Sequence, residues 1–243
     1  MIKALNKLRD EDTEVFLMEN LYMFNRLQLN IIEKETGLKI VDGMDVLMGF
    51  LSLALTSIYK ILGEDLKNRE ALIIGREEEL TQKAIEAICK DVSFITIIGD
   101  FDKEDVERIY QHVLEKTGLS IFFSKKIDRI LTNYSIIINL IDNCSINTRR
   151  LRNDAIIFDF SIDKQFSRSI IKDTKLTVVE DFVFRGDGIN LNGKGLIPTL
   201  VPSYIYEYLA QGKDEDFYGV YANGNIYSTA EFVHLNIKNK GKF

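Results

Sequence analysis

The sequence predicts an α/β fold, a doubly wound and mainly parallel sheet preceded by a helical N-terminal segment. Two observations carry that prediction. After Asn68, short apolar runs such as Ala71 to Ile74, Phe94 to Ile98 and Ala155 to Phe160 alternate with amphipathic stretches of helical period. Parallel strands buried on both faces and joined by crossover helices leave this pattern. Before Asn68 the apolar residues recur at threes and fours instead. The change of period sets the expected boundary: residues 1–66 form the helical segment, and residues 67–243 form the sheet domain with a strand- and turn-rich C-terminal extension.

From Glu14 to Glu35, the side chains of Leu17, Leu21, Phe24, Leu27 and Ile31 share one helical face, which predicts a single long amphipathic helix. Phe16, Met18, Tyr22, Met23 and Leu29 widen that face beyond one packing surface. Either the next helix of the same chain or a second copy in a homodimer covers the excess. Gly37 ends the helix, Leu38 to Val41 forms a short segment, and Asp42-Gly43 turns into a second helix that stops near Gly63. That helix carries Gly49, Ser52, Thr56, Ser57 and Lys60 and falls short of the roughly 20 apolar residues that span a bilayer. It reads as a core helix, and no membrane contact is expected.

In the sheet domain, strand one is Ala71 to Ile74, followed by a helix from about Glu78 to Lys90 with Leu80, Ala84, Ile85 and Ile88 inward. Strand two is Phe94 to Ile98, and Asp102 caps a helix that Gly118 ends. Strand three is Leu119 to Phe123, with a helical turn at Ile127 to Leu131. Ser135 to Leu140 and Ala155 to Phe160 are strands four and five. In the tail, Leu176 to Val179 and Phe182 to Phe184 read as strand, and Gly186 to Gly188 and Asn192-Gly193 as turns. Tyr204 to Ala210 reads as helix, and Ala222-Asn223-Gly224-Asn225 as a hairpin turn.

Composition narrows the function. A hydrophobic content of 46% with only 2 prolines matches an ordered globular domain. The net charge of −6 opposes non-specific attraction to nucleic acid or anionic membrane. The basic run Arg149-Arg150-Leu151-Arg152 reads as a solvated face. Cys89 and Cys144 are too few for a disulfide framework, and with no apolar leader near Met1 a reducing cytoplasm is expected. The two histidines and two cysteines show no zinc spacing, so no metal site is expected.

Ligands of an open parallel sheet lie beyond the carboxyl ends of its strands, where the strand order reverses. That directs attention to Gly75, Asp100, Lys125, Asn139 to Ser145, and Ser161. The run Glu70-Ala71-Leu72-Ile73-Ile74-Gly75-Arg76-Glu77-Glu78-Glu79-Leu80 passes from strand through one glycine into a helix, as a dinucleotide-binding Rossmann unit does. Of the G-x-G-x-x-G glycines Gly75 is the first, and Glu77 and Leu80 hold the other two places. The three glutamates suit a helix N-terminus but oppose a pyrophosphate there. Arg76 either offsets that repulsion or pairs with one of them. Asp100 follows strand two at about the spacing at which an acid receives a ribose 2′-hydroxyl, favouring NAD over NADP; otherwise it is a solvated carboxylate near the next helix. Asn139 and Asp142 fall where the reacting end of a dinucleotide would lie. The candidate cofactor-binding set is therefore Gly75, Arg76, Asp100, Asn139 and Asp142, with NAD as the cofactor. No catalytic residue is designated, and Cys144, without a neighbouring base in the sequence, reads as structural.

The run from Gly49 through Lys60-Ile61-Leu62-Gly63-Glu64-Asp65-Leu66 into Ala71-Leu72-Ile73-Ile74-Gly75 resembles the helix and lead-in strand of shikimate dehydrogenase-like and methylenetetrahydrofolate dehydrogenase-like NAD(P) domains. Tyr134-Ser135-Ile136-Ile137-Ile138-Asn139 with Leu151 to Ser161 is similar to their fourth and fifth strands. In the tail, Pro202-Ser203-Tyr204-Ile205-Tyr206-Glu207-Tyr208-Leu209-Ala210-Gln211 resembles a segment of the aldehyde-forming acyl carrier protein reductases, whose cysteine would fall on Tyr208. The resemblance implies a Rossmann-like NAD(P) fold and a dehydrogenase-like function of unassigned substrate. It does not supply that thioester-forming cysteine or the catalytic lysine motif of shikimate dehydrogenases. Two readings follow: an NAD-binding dehydrogenase-like enzyme, or a non-catalytic Rossmann-like module that acts through protein contacts.

Overall fold

The chain begins with a small α/β cap. In the computed structural model, which describes residues 1–18, 21–75, 78–125, 130–170, 176–186, 200–209 and 212–238, helix α1 (Ile2–Leu8) is followed by strand β1 (Val15–Leu17), helix α2 (Arg26–Thr36) and strand β2 (Lys39–Val41). The single helix expected from Glu14 to Glu35 is therefore three elements, β1, a 3₁₀ turn at Leu21–Met23 and α2. Strand β1 pairs in parallel with β2, Val15 opposite Lys39. Helix α2 starts only at Asn25, whose side chain accepts from the Gln28 N–H while Gln28 answers with its own side chain. The inward stripe also differs from the expected one. Leu29 and Ile32 are buried with Leu5, Leu38 and Ile40, whereas Leu27 and Ile31 face outward. The expected stripe followed the spacing across a helix break, and the true one is set by packing against α1 and β2.

Gly43, at φ +82°, turns the chain into helix α3 (Met44–Leu62), and Gly63 ends it in the same left-handed region. Helix α3 is long and apolar enough to cross a membrane by length and composition. Its Leu51, Ala54, Leu55 and Ile58 are fully buried, however, in one cluster with Ala71 and Ile73 of the sheet. It is a core helix, which accounts for its run of apolar residues.

The sheet then alternates with helices: β3 (Glu70–Ile74), α4 (Glu78–Ile88), β4 (Phe94–Ile98), α5 (Lys103–Thr117) and β5 (Phe122–Phe123). Next come β6 (Ile136–Asn139), β7 (Ile156–Asp159), a short helix α6 (Gln165–Ile170) and the long β8 (Thr177–Arg185). Six parallel strands lie in the order β5-β4-β3-β6-β7-β8. Numbered by sequence among themselves, they run 3-2-1-4-5-6, the doubly wound Rossmann order. Strand three is only two residues long and lies at the edge of the sheet, paired with β4. The two strands expected in 176–184 are one continuous β8. Strand β9 (Leu200–Pro202) pairs antiparallel with its second half and leads into helix α7 (Ser203–Leu209). Strands β10 (Phe217–Ala222) and β11 (Asn225–Ser228) form the expected hairpin, turning at Asn223 and Gly224, both at positive φ. Helix α8 (Thr229–Phe232) runs into one π-helical turn, Val233–Ile237.

Alternation along each strand divides the core. Ile73, Ile95, Ile97, Ile136 and Ile138 face α3, α4 and α5, while Leu72, Ile74, Ile98, Ile137 and Ile157 face α6 and the segments before β6 and β7. Both faces are covered, so the strands read as mainly apolar runs, with Thr96 inside β4 and Asn139 and Asp159 closing β6 and β7. The helical turn expected at Ile127 and the turns at Gly188 and Asn192-Gly193 lie outside the described residues.

Candidate functional site

The order reverses between β3 and β6, so the carboxyl ends of β3, β4, β6 and β7 define the candidate site. At β3 and β4 two glycines bring backbone against backbone. The Gly75 N–H donates to the Ile98 carbonyl at 2.9 Å, and a Cβ on Gly99 would fall 1.8 Å from the Gly75 carbonyl oxygen. A Cβ on Gly75 would meet Thr81 Oγ1 at 2.2 Å. Gly75 therefore serves the approach of α4 to the strand, and Leu80, in the place of the third fingerprint glycine, packs on the core. Asp100 follows directly and is exposed. Two acids of the first turn of α4 have cationic partners: Glu78 with Arg108 at 3.0 Å, and Glu79 with Lys83 at 3.1 Å. Their repulsion for an anion is thereby reduced at this helix end. Arg76 and Glu77 lie outside the described residues.

The ends of β6 and β7 are filled by the protein itself. Asp159 is wholly buried. Its Oδ1 accepts from Asn139 Nδ2 at 2.8 Å and from Ser161 Oγ at 2.6 Å, and its Oδ2 from the Ser167 N–H at 2.7 Å and Ser167 Oγ at 2.5 Å. Asp159 thus caps α6 from the neighbouring strand. Lys164, at φ +50°, donates from Nζ to the carbonyls of Asp159 at 2.6 Å and Glu180 at 2.7 Å, joining β7 to β8 where their pairing has ended. Burial pushes the carboxyls of Glu180 and Asp181 up, and the Lys164 ammonium works against that shift. Asn139 also donates to the Ile141 carbonyl at 3.1 Å. Asp142 accepts from the main-chain N–H of Ile162 at 2.9 Å and of Asp163 at 3.2 Å through one oxygen, and from the Arg26 N–H at 2.9 Å through the other. The first turn of α2, and with it the cap, is thereby fastened over this end of the sheet. Cys144 is buried, with its thiol pushed up to about 12 by desolvation and then by Asp159 and Asp163. A thiol in that state is a poor nucleophile.

The five sequence candidates thus separate. Gly75 and Asp100 lie together on the β3–β4 side; Asn139 and Asp142 belong to the hydrogen-bonded closure on the β6–β7 side. On the first side an exposed carboxylate, Asp100, stands beside the close backbone contact of Gly75 and Gly99. On the second side the donors and acceptors already satisfy one another. Tyr208, aligned with the reductase cysteine, is half exposed and brings no nucleophile.

Between the cap and the sheet domain a cleft of about 190 Å³ opens beside the first turns of α3 and α4 and beside α7. Three basic and five acidic side chains line it, among them Lys39, Asp42, Asp45, Glu79, Lys83 and Glu207. No motif in the sequence marks Glu207, which stands on the short helix that follows β9 and lies near Lys39 of β2. Asp159 was visible only as an acid closing an apolar run.

The strand order decides the fold type. It is that of NAD(P)-binding Rossmann domains. No protein-family model and no curated protein matches the chain. Among solved structures, the chain is similar to shikimate 5-dehydrogenase from Listeria monocytogenes in complex with shikimate and NAD, at 16% identity over 53% of this chain and 47% of that one, with a TM-score of 0.36. Quinate dehydrogenase from Corynebacterium glutamicum in complex with NAD gives 11% identity over 52% and 46%, with a TM-score of 0.37. The A chain of dipicolinate synthase from Bacillus subtilis gives 12% over 66% and 53%, with a TM-score of 0.41. The chain spans about half the length of each of these structures.

Proposed function

We propose that the chain is a dehydrogenase-like protein that binds NAD at an atypical, glycine-poor site on the β3–β4 side of its sheet. The observation that carries this reading is the exposed Asp100 immediately beyond β4, beside the contact between Gly75 and Gly99. In a sheet of this order an acid at that place receives the ribose hydroxyls and repels a 2′-phosphate. Arg76 is the nearest cation in sequence for the phosphates. NAD would supply hydride chemistry when bound; the residues described here bind and orient its adenosine half. Calorimetric titration with NAD⁺, NADH, NADP⁺ and NADPH tests it. The expected result is a preference for NAD(H), with Asp100→Ala weakening NAD binding about tenfold or more, a loss of at least 1.4 kcal/mol, and leaving the melting temperature unchanged. Failure of all four nucleotides to bind at millimolar concentration would overturn the proposal.

The closure over β6 and β7 favours a second reading, a non-catalytic module that works through protein contacts in the cytoplasm. In that reading the outward Met23, Leu27 and Ile31 of the cap, exposed by 72%, 69% and 47%, meet a second copy of the chain. Sedimentation equilibrium of the wild type is expected to show a dimer, and Leu27→Asp with Ile31→Asp a folded monomer. A monomeric wild type at micromolar concentration removes this interface.

A further inference from the structure

The cleft between the cap and the sheet domain has a chemistry of its own. At about 190 Å³ it lies below the roughly 300–1,000 Å³ of sites for larger ligands. Glu207 reaches it from α7 with its side chain only 12% exposed. Its Oε2 is sealed from solvent and accepts no hydrogen bond, and its Oε1 stands 4.0 Å from Lys39 Nζ, beyond hydrogen-bond reach. Desolvation, then Asp42 and Asp45, push the Glu207 carboxyl up, while Lys39 and the Asp45 main chain only partly oppose them. A buried carboxyl group so poorly matched is costly unless a donor completes it.

Two of the cations in the lining, Lys39 and Lys83, are partly exposed. Lys39 is 62% exposed and 3.7 Å from Asp45; Lys83 is 46% exposed and shared between Asp45 and Glu79, each at 3.1 Å. Five carboxylates against three cations leave the lining two charges negative, which favours a ligand that brings a positive group. Among the described residues no group of three or more metal-ligating side chains gathers, so an ammonium suits the site better than a metal ion.

We propose that this cleft binds a small amino-acid-like zwitterion, its ammonium held by Glu207 with Asp45, and its carboxylate by Lys39 and Lys83. The site is independent of the nucleotide reading. It joins residues of the cap to residues of α3, α4 and α7, so occupancy ties the cap to the sheet domain.

The test is a thermal-shift screen of the full chain with the standard α-amino acids, followed by calorimetry on those that raise the melting temperature. The expected result is saturable binding of at least one of them. Its N-acetyl derivative, which lacks the ammonium, and its amide, which lacks the carboxylate, should each bind about tenfold more weakly or worse. Glu207→Gln should weaken the free amino acid by a similar factor. Lys39→Met, at an exposed position, should weaken it while leaving the fold untouched, and decides the matter if Glu207→Gln fails to fold. Asp100→Ala should leave it unchanged, which separates this site from the nucleotide's. The proposal is overturned if none of the amino acids binds at millimolar concentration, if the N-acetyl derivative binds as well as the free form, or if Lys39→Met or a folded Glu207→Gln binds as tightly as the wild type.

Discussion

Asp159→Ala is expected to lower the stability of this protein by about 4 kcal/mol, within the range for breaking a buried charged network. The carboxylate is wholly buried and accepts from Asn139, Ser161 and Ser167. Its removal leaves the Asn139 amide with the Ile141 carbonyl alone, takes the acceptor from the Ser161 and Ser167 hydroxyls in a buried place, and uncaps α6 at the Ser167 N–H. For a chain of this size the fall in melting temperature is about 10 °C, at roughly 2–4 °C per kcal/mol. Asp159→Asn, which keeps the shape and one acceptor, should lie between the alanine variant and the wild type. Urea denaturation of the three proteins measures the series. A loss below about 1 kcal/mol for the alanine variant, the scale of one ordinary hydrogen bond, would show that the network does not hold the β6–β7 end closed.

The second large effect is expected at Gly99. A methyl group there would lie 1.8 Å from the Gly75 carbonyl oxygen and 2.5 Å from Phe101 Cε2. The oxygen belongs to a strand end fixed by the hydrogen bond from Gly75 to Ile98, so relief requires β3 and β4 to part. Overpacking of this kind costs about 1–3 kcal/mol and sometimes more, and about 3 kcal/mol is expected for Gly99→Ala because the obstacle is backbone. Gly75→Ala meets a side chain instead, Thr81 Oγ1 at 2.2 Å. Thr81→Ala should therefore restore much of the stability lost in Gly75→Ala and none of that lost in Gly99→Ala. Equal rescue of both variants would contradict the assignment of the two contacts.

The parallel sheet was legible because its strands are covered on both sides. A strand buried on both faces is apolar at most positions, so Ala71 to Ile74, Phe94 to Ile98 with Thr96 at its centre, and Ile156 to Phe158 announce themselves. Helix boundaries marked by local chemistry were legible too: Asp102 caps α5 and Gly118 ends it, as read. The cap was less so. Leu17 and Leu21 keep helical spacing to residues beyond Asn25 although a strand, a 3₁₀ turn and a capping box intervene. Periodicity cannot register a break that falls between residues of the same character, and a three-residue strand is too short to show a period of two.

At the candidate site the sequence could name strand-end residues but not their partners. Asn139 and Asp142 stand at strand ends as expected, yet their hydrogen bonds run to Asp159, Ile162 and the Arg26 main chain, across 20, 20 and 116 residues of chain. Glu207 was illegible for the same reason: its environment comes from Lys39, Asp42 and Asp45, far away in sequence.

By itself, the sequence determined the class of fold, the places of the parallel strands and the glycine at the β3–α4 junction. These follow from burial period and from backbone demands within a few residues. Only the tertiary structure decided that the β6–β7 end is closed by its own polar groups, that the cap sits over it, and that a charged cleft remains between cap and sheet. Each of these depends on pairs of groups brought together by chain crossovers, and local sequence carries no record of such pairs.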